Sequence, residues 1–210
     1  MVKKPSRPIP ENQYKRFKSR LEEISKTEHI DRNMTLFLLG VATGYRLQDL
    51  VDLTIKDIKE ALADGSFYIQ EKKQLNIYKS YIKRYPDKAR QEPEARECYI
   101  EKPLEIILKK YIKGRKNSEY AFFSQKDKGN HISAKAYSAI LSRVGNDLRI
   151  KGISGHSLRK TYATRLYESS NDIEYVRVAI GHGSIEVTKR YLGLDDNIRE
   201  SAAKIAAGKL

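Results

Sequence analysis

The chain has 210 residues, with 41 lysines and arginines against 27 acidic residues, a net charge of +14 and a pI near 9.7. That length suits one domain with a sizeable core, and that charge favours a polyanionic partner, nucleic acid first. No run of eighteen apolar residues occurs, the N-terminus lacks the apolar segment of a signal peptide, and the one cysteine, Cys98, allows no internal disulfide; a cytoplasmic chain with no membrane contact is expected.

Residues 1–12 (MVKKPSRPIPEN) are basic and punctuated by proline, which predicts a flexible arm. Lys3, Lys4 and Arg7 in it read equally as DNA contacts or as a solvated tail. The body of the domain is expected over 13–192. A first helix spans 13–25, with Phe17, Leu21 and Ile24 on one side; a second runs from about Asp31, a candidate cap, to Ala42, and buries Met34, Phe37, Leu38 and Val41. Thr43-Gly44 closes it. Arg46 then opens a short helix carrying Leu47, Leu50 and Leu53, and an arginine there opposes the helix dipole, a mild hint of a bound anion. Residues 55–74 are expected to supply the first strands of a small sheet, on the strength of Phe67, Tyr68 and Ile69 after a turn at Ala63-Asp64-Gly65-Ser66.

In the next stretch, 75–94, Tyr78, Tyr81, Ile82 and Tyr85 suit a short amphipathic helix ended by Pro86. Lys79, Lys83, Arg84, Lys88 and Arg90 are interleaved with them. Contact with a DNA backbone and a solvated helix packing its tyrosines both fit this pattern. A further strand is expected at 96–100 (RECYI), followed by Pro103-Leu104 and an amphipathic helix through Ile112. Residues 113–131 read as loop around Ala121-Phe122-Phe123, and 133–148 as a helix capped by Ser133 that buries Ala136, Ile140, Leu141, Val144 and Leu148. The fold class expected is mainly α with a small antiparallel β-sheet.

The densest chemistry lies in 154–191. His156 and Arg159 are three apart, hence roughly 60° around a helix, so both head groups can face one pocket. Leu158, Tyr162 and Leu166 bury the adjoining stripe, and a guanidinium half out of water beside them calls for an anionic partner. Ile173, Val176 and Ile180 mark a second helix stopped by Gly181, and Ser184 caps a third whose first turn carries Glu186 and whose end carries Tyr191. His182 sits at the corner between them. Guanidinium and imidazole donors suit a phosphoryl group as charge builds on its oxygens, and a tyrosine hydroxyl becomes a nucleophile when cations favour its anion. The set points to phosphodiester cleavage by Tyr191 without a metal. Taken singly, each of these side chains is more ordinary than that: a packed tyrosine, a satisfied histidine, a solvated arginine.

The joint spacing, HSLR at 156–159, then IGHGS at 180–184, then Tyr191 nine residues after His182, resembles the second half of the tyrosine recombinase (phage integrase) signature, with Thr188 also in register. Upstream, TGYRLQDL at 43–50 is similar to the motif holding the family's first catalytic arginine, which makes Arg46 that residue and Asp49, in place of the usual glutamate, its support. The family's catalytic lysine lies in the turn after the second strand; in QEKKQLN at 70–76, Lys73 aligns best and Lys72 is its rival.

The resemblance implies the fold of a recombinase catalytic domain over about 8–194. It implies a site-specific DNA recombinase acting through a 3′-phosphotyrosine bond. It assigns catalytic roles to Arg46, Lys73, His156, Arg159, His182 and Tyr191; beside it, the basic residues Lys72, Lys79, Lys83, Arg84 and Lys160 are read as DNA contacts. The expected partner is double-stranded DNA in a prokaryotic cell or phage setting, with four protomers on two sites and an accessory DNA-binding protein in place of the N-terminal clamp domain usual in the family. The tail, 193–210, with Ile198, Ala202, Ile205 and Ala206 in a narrow stripe, would dock on a neighbouring protomer or in cis. The alternative is a transcriptional regulator that keeps the fold without recombining. No cofactor is implied: a Walker loop, a zinc-ligand spacing and a G-x-S-x-G elbow are all missing from the sequence.

Overall fold

The computed structural model describes residues 5–127 and 129–208, the side chains of 195–200 excepted. Lys3, Lys4 and the Ile198 side chain lie outside the described residues. Among the described residues the architecture is helical, with a single antiparallel pair of strands. Helix α1 (Glu11–Ile24) buries Phe17 and Leu21, and α2 (Ile30–Thr43) runs through the middle of the core with Leu36, Phe37, Leu39 and Val41 buried. No side chain caps α2, so Asp31 does not take the capping role expected of it.

Around α2 pack α1, α6 (Lys102–Ile112) and α8 (His156–Ser170). The approach of α8 depends on Gly40, where an added Cβ would lie 2.6 Å from Leu158 Cδ1. α7 (Ala134–Asp147) is capped by Ser133, lies against α1 and brings Tyr137, Leu141 and Val144 into the same core.

Between α2 and the strands come two short helices, α3 (Leu47–Leu50) and α4 (Ile55–Asp64). The second corrects the expectation of strands from residue 55. Thr54 and Asp57 form a reciprocal capping box at its start, and Ile55, Ile58 and Ala61 fall on one buried face. Local capping and a 3.6-residue period therefore prevail over the strand preference of the isoleucines. Strand β1 (Ser66–Ile69) pairs antiparallel with β2 (Arg96–Tyr99), Phe67 opposite Cys98 and Ile69 opposite Arg96.

The excursion between the two strands opens with α5 (Lys72–Arg84). Lys72 and Lys73 thus occupy the first turn of a helix, where a strand-to-strand turn was expected. From Ser6 onward the N-terminal arm is docked: Arg7 N–H donates to Gly152 O at 2.9 Å, Ile9 N–H donates to Thr161 Oγ1 at 2.9 Å, and Ile9 is buried.

The last four helices carry or flank the chemistry. α8 ends at Asn171 in the left-handed region, and Asp172 caps α9 (Ile173–Ala179) by accepting from two backbone N–H groups. Ser184 caps α10 (Ile185–Leu192), and Gly193 passes the chain to α11 (Leu194–Ala207). A small satellite core of Ala163, Val176 and Ile180, with Tyr162, Leu166, Tyr167, Tyr191 and Leu192 packed on it, holds α8, α9 and α10 together.

Candidate active site

Arg46, Lys73, His156, Arg159, Lys160 and Tyr191 line one cavity of about 630 Å³, walled also by Leu47, Ser138 and Gly155. Each arrives from a different local device. Gly44, at φ +63°, terminates α2 and turns the chain so that Arg46 stands at the start of α3. An added Cβ on Gly44 would sit 2.2 Å from Tyr162 Cδ1, so only glycine lets α8 pass here. His156, Arg159 and Lys160 stand on the first turn and a half of α8. Ser154 and Ser138 hold that start, accepting from the backbone N–H groups of His156 and Gly155.

Arg159 is 2% exposed. Its guanidinium donates to the carbonyls of Gly44 and Ile180, which ties α8 to the turns that carry Arg46 and His182. Its anionic partner is Glu71. One oxygen of that carboxylate accepts from Arg159 and the other from Arg46, while Arg96 Nε lies 3.8 Å from the first. Arg96 is itself held by carbonyls of Thr43 (2.8 Å) and Ala179 (3.0 Å), and lies 3.7 Å above the centre of the Tyr45 ring. Burial and the neighbouring Arg159 press the Arg46 pKa down and Glu71 draws it back; an arginine stays cationic throughout.

Asp49 is not the partner of Arg46 that the sequence predicted. It is 3% exposed, and its Oδ1 accepts from the backbone N–H of Lys72 at 3.1 Å while Oδ2 has no hydrogen-bond partner. Asp49 therefore anchors the first turn of α5; burial raises its pKa and the Lys72 N–H opposes that. The shorter side chain is spent on the α5 backbone, and the longer Glu71 reaches both guanidinium groups. The pairing between positions 25 and 88 residues apart in sequence left no local signal. Arg96 escaped notice for the same reason.

The two candidate lysines part company. Lys72 forms an ion pair with Asp52 and faces a second, acidic cavity of about 350 Å³. Lys73 lines the cavity that holds Tyr191. Lys79, Lys83 and Arg84 are exposed further along α5, outside that cavity. Lys160 Nζ lies 5.0 Å from the centre of the Tyr191 ring.

His182 meets Tyr191 edge to face at 5.0 Å between ring centres. Its Nδ1 is 3.2 Å from Thr188 Oγ1, and the Thr188 hydroxyl already donates to Ser184 O at 3.1 Å. With that proton committed, Thr188 accepts from His182, which places the imidazole proton on Nδ1 and leaves Nε2 as the open nitrogen. Burial, then the Arg159 and Arg46 charges, lower the His182 pKa to about 4. His156 is exposed at the rim as a residue, but the cavity wall desolvates its ring, and with Lys73, Arg46, Arg159 and Lys160 nearby its pKa is lowered too. Both imidazoles are neutral at pH 7. The Tyr191 hydroxyl is buried without a hydrogen-bond partner, and burial raises its pKa to about 12 against the pull of Arg159 and Arg46.

Chemically, this is a cationic recess walled by a phenol, the His156 imidazole and the ammonium groups of Lys73 and Lys160; the second imidazole, His182, lies against the phenol ring and is not among the lining residues. Such a recess can hold a phosphoryl group and exchange protons on both sides of it. Among the described residues no group of three or more His, Cys, Asp or Glu could hold a metal ion, and no helix is long and apolar enough to cross a membrane.

Comparison with known proteins gives three findings. The model of the phage integrase family matches residues 7–197. A Bacillus subtilis protein named probable integrase/recombinase YoeC is 27% identical over 177 residues, covering 84% of this chain and 86% of its own; the tyrosine recombinase XerA of Pyrococcus furiosus is 29% identical over 176 residues, covering 83% and 54%. Among solved structures, the Tn1549 transposon integrase in complex with transposon right end DNA superposes with a TM-score of 0.65 at 18% identity, over 98% of this chain and 67% of that one. The XerH recombinase in its pre-cleavage complex with difH scores 0.59 at 20% identity, over 93% and 53%. At these identities the structural likeness speaks for the fold. The chain spans 86% of the length of the YoeC protein and about half that of the XerA recombinase.

Proposed function

The chain belongs to the phage integrase family, and from that premise we propose that it is a site-specific DNA recombinase that cuts and rejoins DNA through Tyr191. One observation carries the reading. Tyr191, Arg46, Arg159, Lys73 and His156, drawn from four separate segments, line a single cavity.

In the proposed reaction the scissile phosphate enters between Arg46 and Arg159, whose guanidinium groups hold its non-bridging oxygens. Donors of this kind are each worth about 10²–10³ in rate. Tyr191 Oη attacks phosphorus, and neutral His156 takes the phenolic proton. The bond from phosphorus to the 5′ oxygen breaks, and Lys73 supplies the proton that leaves a 5′ hydroxyl. A tyrosine hydroxyl with a pKa near 12 needs both the base and the cations. The negative charge of an entering phosphate offsets the arginines that keep His182 neutral and favours a proton on Nε2, through which His182 donates to a phosphate oxygen. The phosphotyrosine bond conserves the energy of the broken linkage, so attack by another 5′ hydroxyl reseals the strand without ATP.

Double-stranded DNA is the partner, and the net charge of +14 supports it. Lys160 at the cavity and Lys72, Lys79, Lys83 and Arg84 along α5 are the proposed backbone contacts. Four protomers on two sites complete an exchange. Ile205 on α11 is 65% exposed, which supports docking of that helix on a neighbouring protomer. An accessory DNA-binding protein would supply grip beyond what residues 13–192 provide.

The test is covalent trapping. Wild-type protein and Tyr191→Phe are incubated with nicked duplexes whose cleaved strand sheds a short fragment, with randomised flanks. An SDS-resistant protein–DNA adduct with wild type alone supports the reading. Retarded DNA without an adduct from either protein turns the assignment to a DNA-binding regulator.

A further inference from the structure

Building on that reading, we propose that Glu71 is a positioning residue that fixes Arg46 and Arg159 as one rigid phosphate clamp. Glu71 is 4% exposed. Each of its carboxylate oxygens takes one guanidinium, Oε2 that of Arg46 and Oε1 that of Arg159. Both arginines line the 630 Å³ cavity and Glu71 does not. The carboxylate therefore grips the pair from the protein side and leaves the cavity side to a ligand.

Charge-assisted bonds of this type are directional, and a planar fork held at one edge presents its other edge at a set angle. Arg96, locked by two carbonyls and the Tyr45 ring, stands 3.8 Å from Glu71 Oε1 and backs the carboxylate in turn. Three guanidinium groups thus converge on one buried carboxylate. The excess positive charge is what an entering phosphate neutralises, while Glu71 keeps the cost of burying the arginines tolerable in the DNA-free protein.

The same residue sets a second register. The Glu71 carbonyl accepts from the N–H groups of Gln74 and Leu75, so Glu71 opens the helical turn that contains Lys73. The arginine pair and the ammonium group of the site are consequently referenced to one residue.

Glu71→Gln keeps the shape, removes the charge and turns an N–H₂ group towards a guanidinium, so one arginine must leave the clamp. Glu71→Asp keeps the charge but is too short by one methylene to span both. In single-turnover cleavage of the trapping substrate, Glu71→Gln is expected to lower the rate constant about 10²-fold, the order that a 1 Å misplacement costs, and Glu71→Asp to retain an intermediate rate. The final yield of adduct should be unchanged, and affinity for uncleaved duplex in a Tyr191→Phe background should stay within about threefold. A merely structural role would instead lower the yield in step with the folded fraction and leave the rate constant alone; that result, or a Glu71→Gln rate within threefold of wild type, overturns the proposal. Because wild type yields no adduct if the recombinase reading itself fails, a second measurement stands apart from chemistry. The arginine Nε–H resonances of DNA-free Arg46→Lys and Arg159→Lys proteins identify each arginine, and Glu71→Gln should shift both. Shifts at neither arginine overturn the proposal whatever the cleavage assay gives.

Discussion

Replacing Gly44 by alanine separates two costs that this corner of the fold combines. Gly44 has φ +63°, and a non-glycine residue in the left-handed region costs about 1–2 kcal/mol. The new Cβ would also stand 2.2 Å from Tyr162 Cδ1 and 2.8 Å from two other ring atoms. Tyr162 is packed against the satellite core of Ala163, Val176 and Ile180, and the atoms met are at the base and near edge of its ring rather than at a flexible tip; overpacking of this kind adds about 1–3 kcal/mol. The sum is about 2–5 kcal/mol, or roughly 4–20 °C in melting temperature at 2–4 °C per kcal/mol for a chain of this size. Gly65 supplies the control. Its φ is +75° and nothing lies within 4 Å of its built Cβ, so Gly65→Ala bears the backbone cost alone. Melting followed by circular dichroism should rank wild type above Gly65→Ala and Gly65→Ala above Gly44→Ala. Since Gly44 O accepts from Arg159 at 3.0 Å, only Gly44→Ala should also slow adduct formation. Equal melting temperatures for the two variants would refute the steric argument, whatever the activities.

Three further outcomes are expected. Lys73→Ala should lose about 10²–10⁴ in cleavage rate and regain most of it when the 5′ bridging oxygen is replaced by sulfur, whose thiolate leaves without a proton; Lys72→Ala should change the rate only a few-fold, and sulfur rescue of Lys72→Ala instead would exchange the two roles. Burial and the neighbouring arginines lower the folded His182 pKa to about 4, against about 6.5 for a free histidine, so the unfolded chain takes up the proton first as pH falls. Stability from this group is whole above about pH 6.5 and declines towards pH 4, by up to roughly 3 kcal/mol, and the lowered pKa of His156 acts in the same direction; melting temperatures at pH 7 and pH 5 should differ by less in His182→Asn, and an undiminished difference would discount the histidine. Finally, adduct formation should proceed unchanged in excess EDTA, because arginine, lysine and histidine supply the charge a metal would; loss of adduct on chelation would contradict the scheme.

The sequence was most readable where structure is local. Ser184, Gly181 and the spacing of Ile173, Val176 and Ile180 announced the corner that carries His182, and Ser133 announced α7. The helix at Ile55–Asp64 was also written locally, in Thr54 and Asp57, but β-branched residues masked it. What could not be read was reach across the fold. Whether Asp49 or Glu71 meets Arg46 depends on where β1 delivers the chain, and Lys72 differs from Lys73 only by 100° around a helix that the tyrosine spacing announces at 78–85 but whose start at Lys72 it does not show. The docking of residues 6–9 against α8 was likewise silent, because polar residues and prolines give no sign of what they will touch.

α5 has a mechanical consequence. It is about 20 Å long at 1.5 Å per residue; Lys73 lies in its first turn, and Gln74 Nε2 reaches across to Gly181 O at 3.3 Å, beside His182. Its far end carries tyrosines and cations well clear of the cavity. A rod pinned at one end is a lever, and here the fulcrum is the proposed proton donor. Substitutions or binding partners at the outer end of α5 could therefore retune the reaction rate from a distance, leaving every group that touches the phosphate as it is.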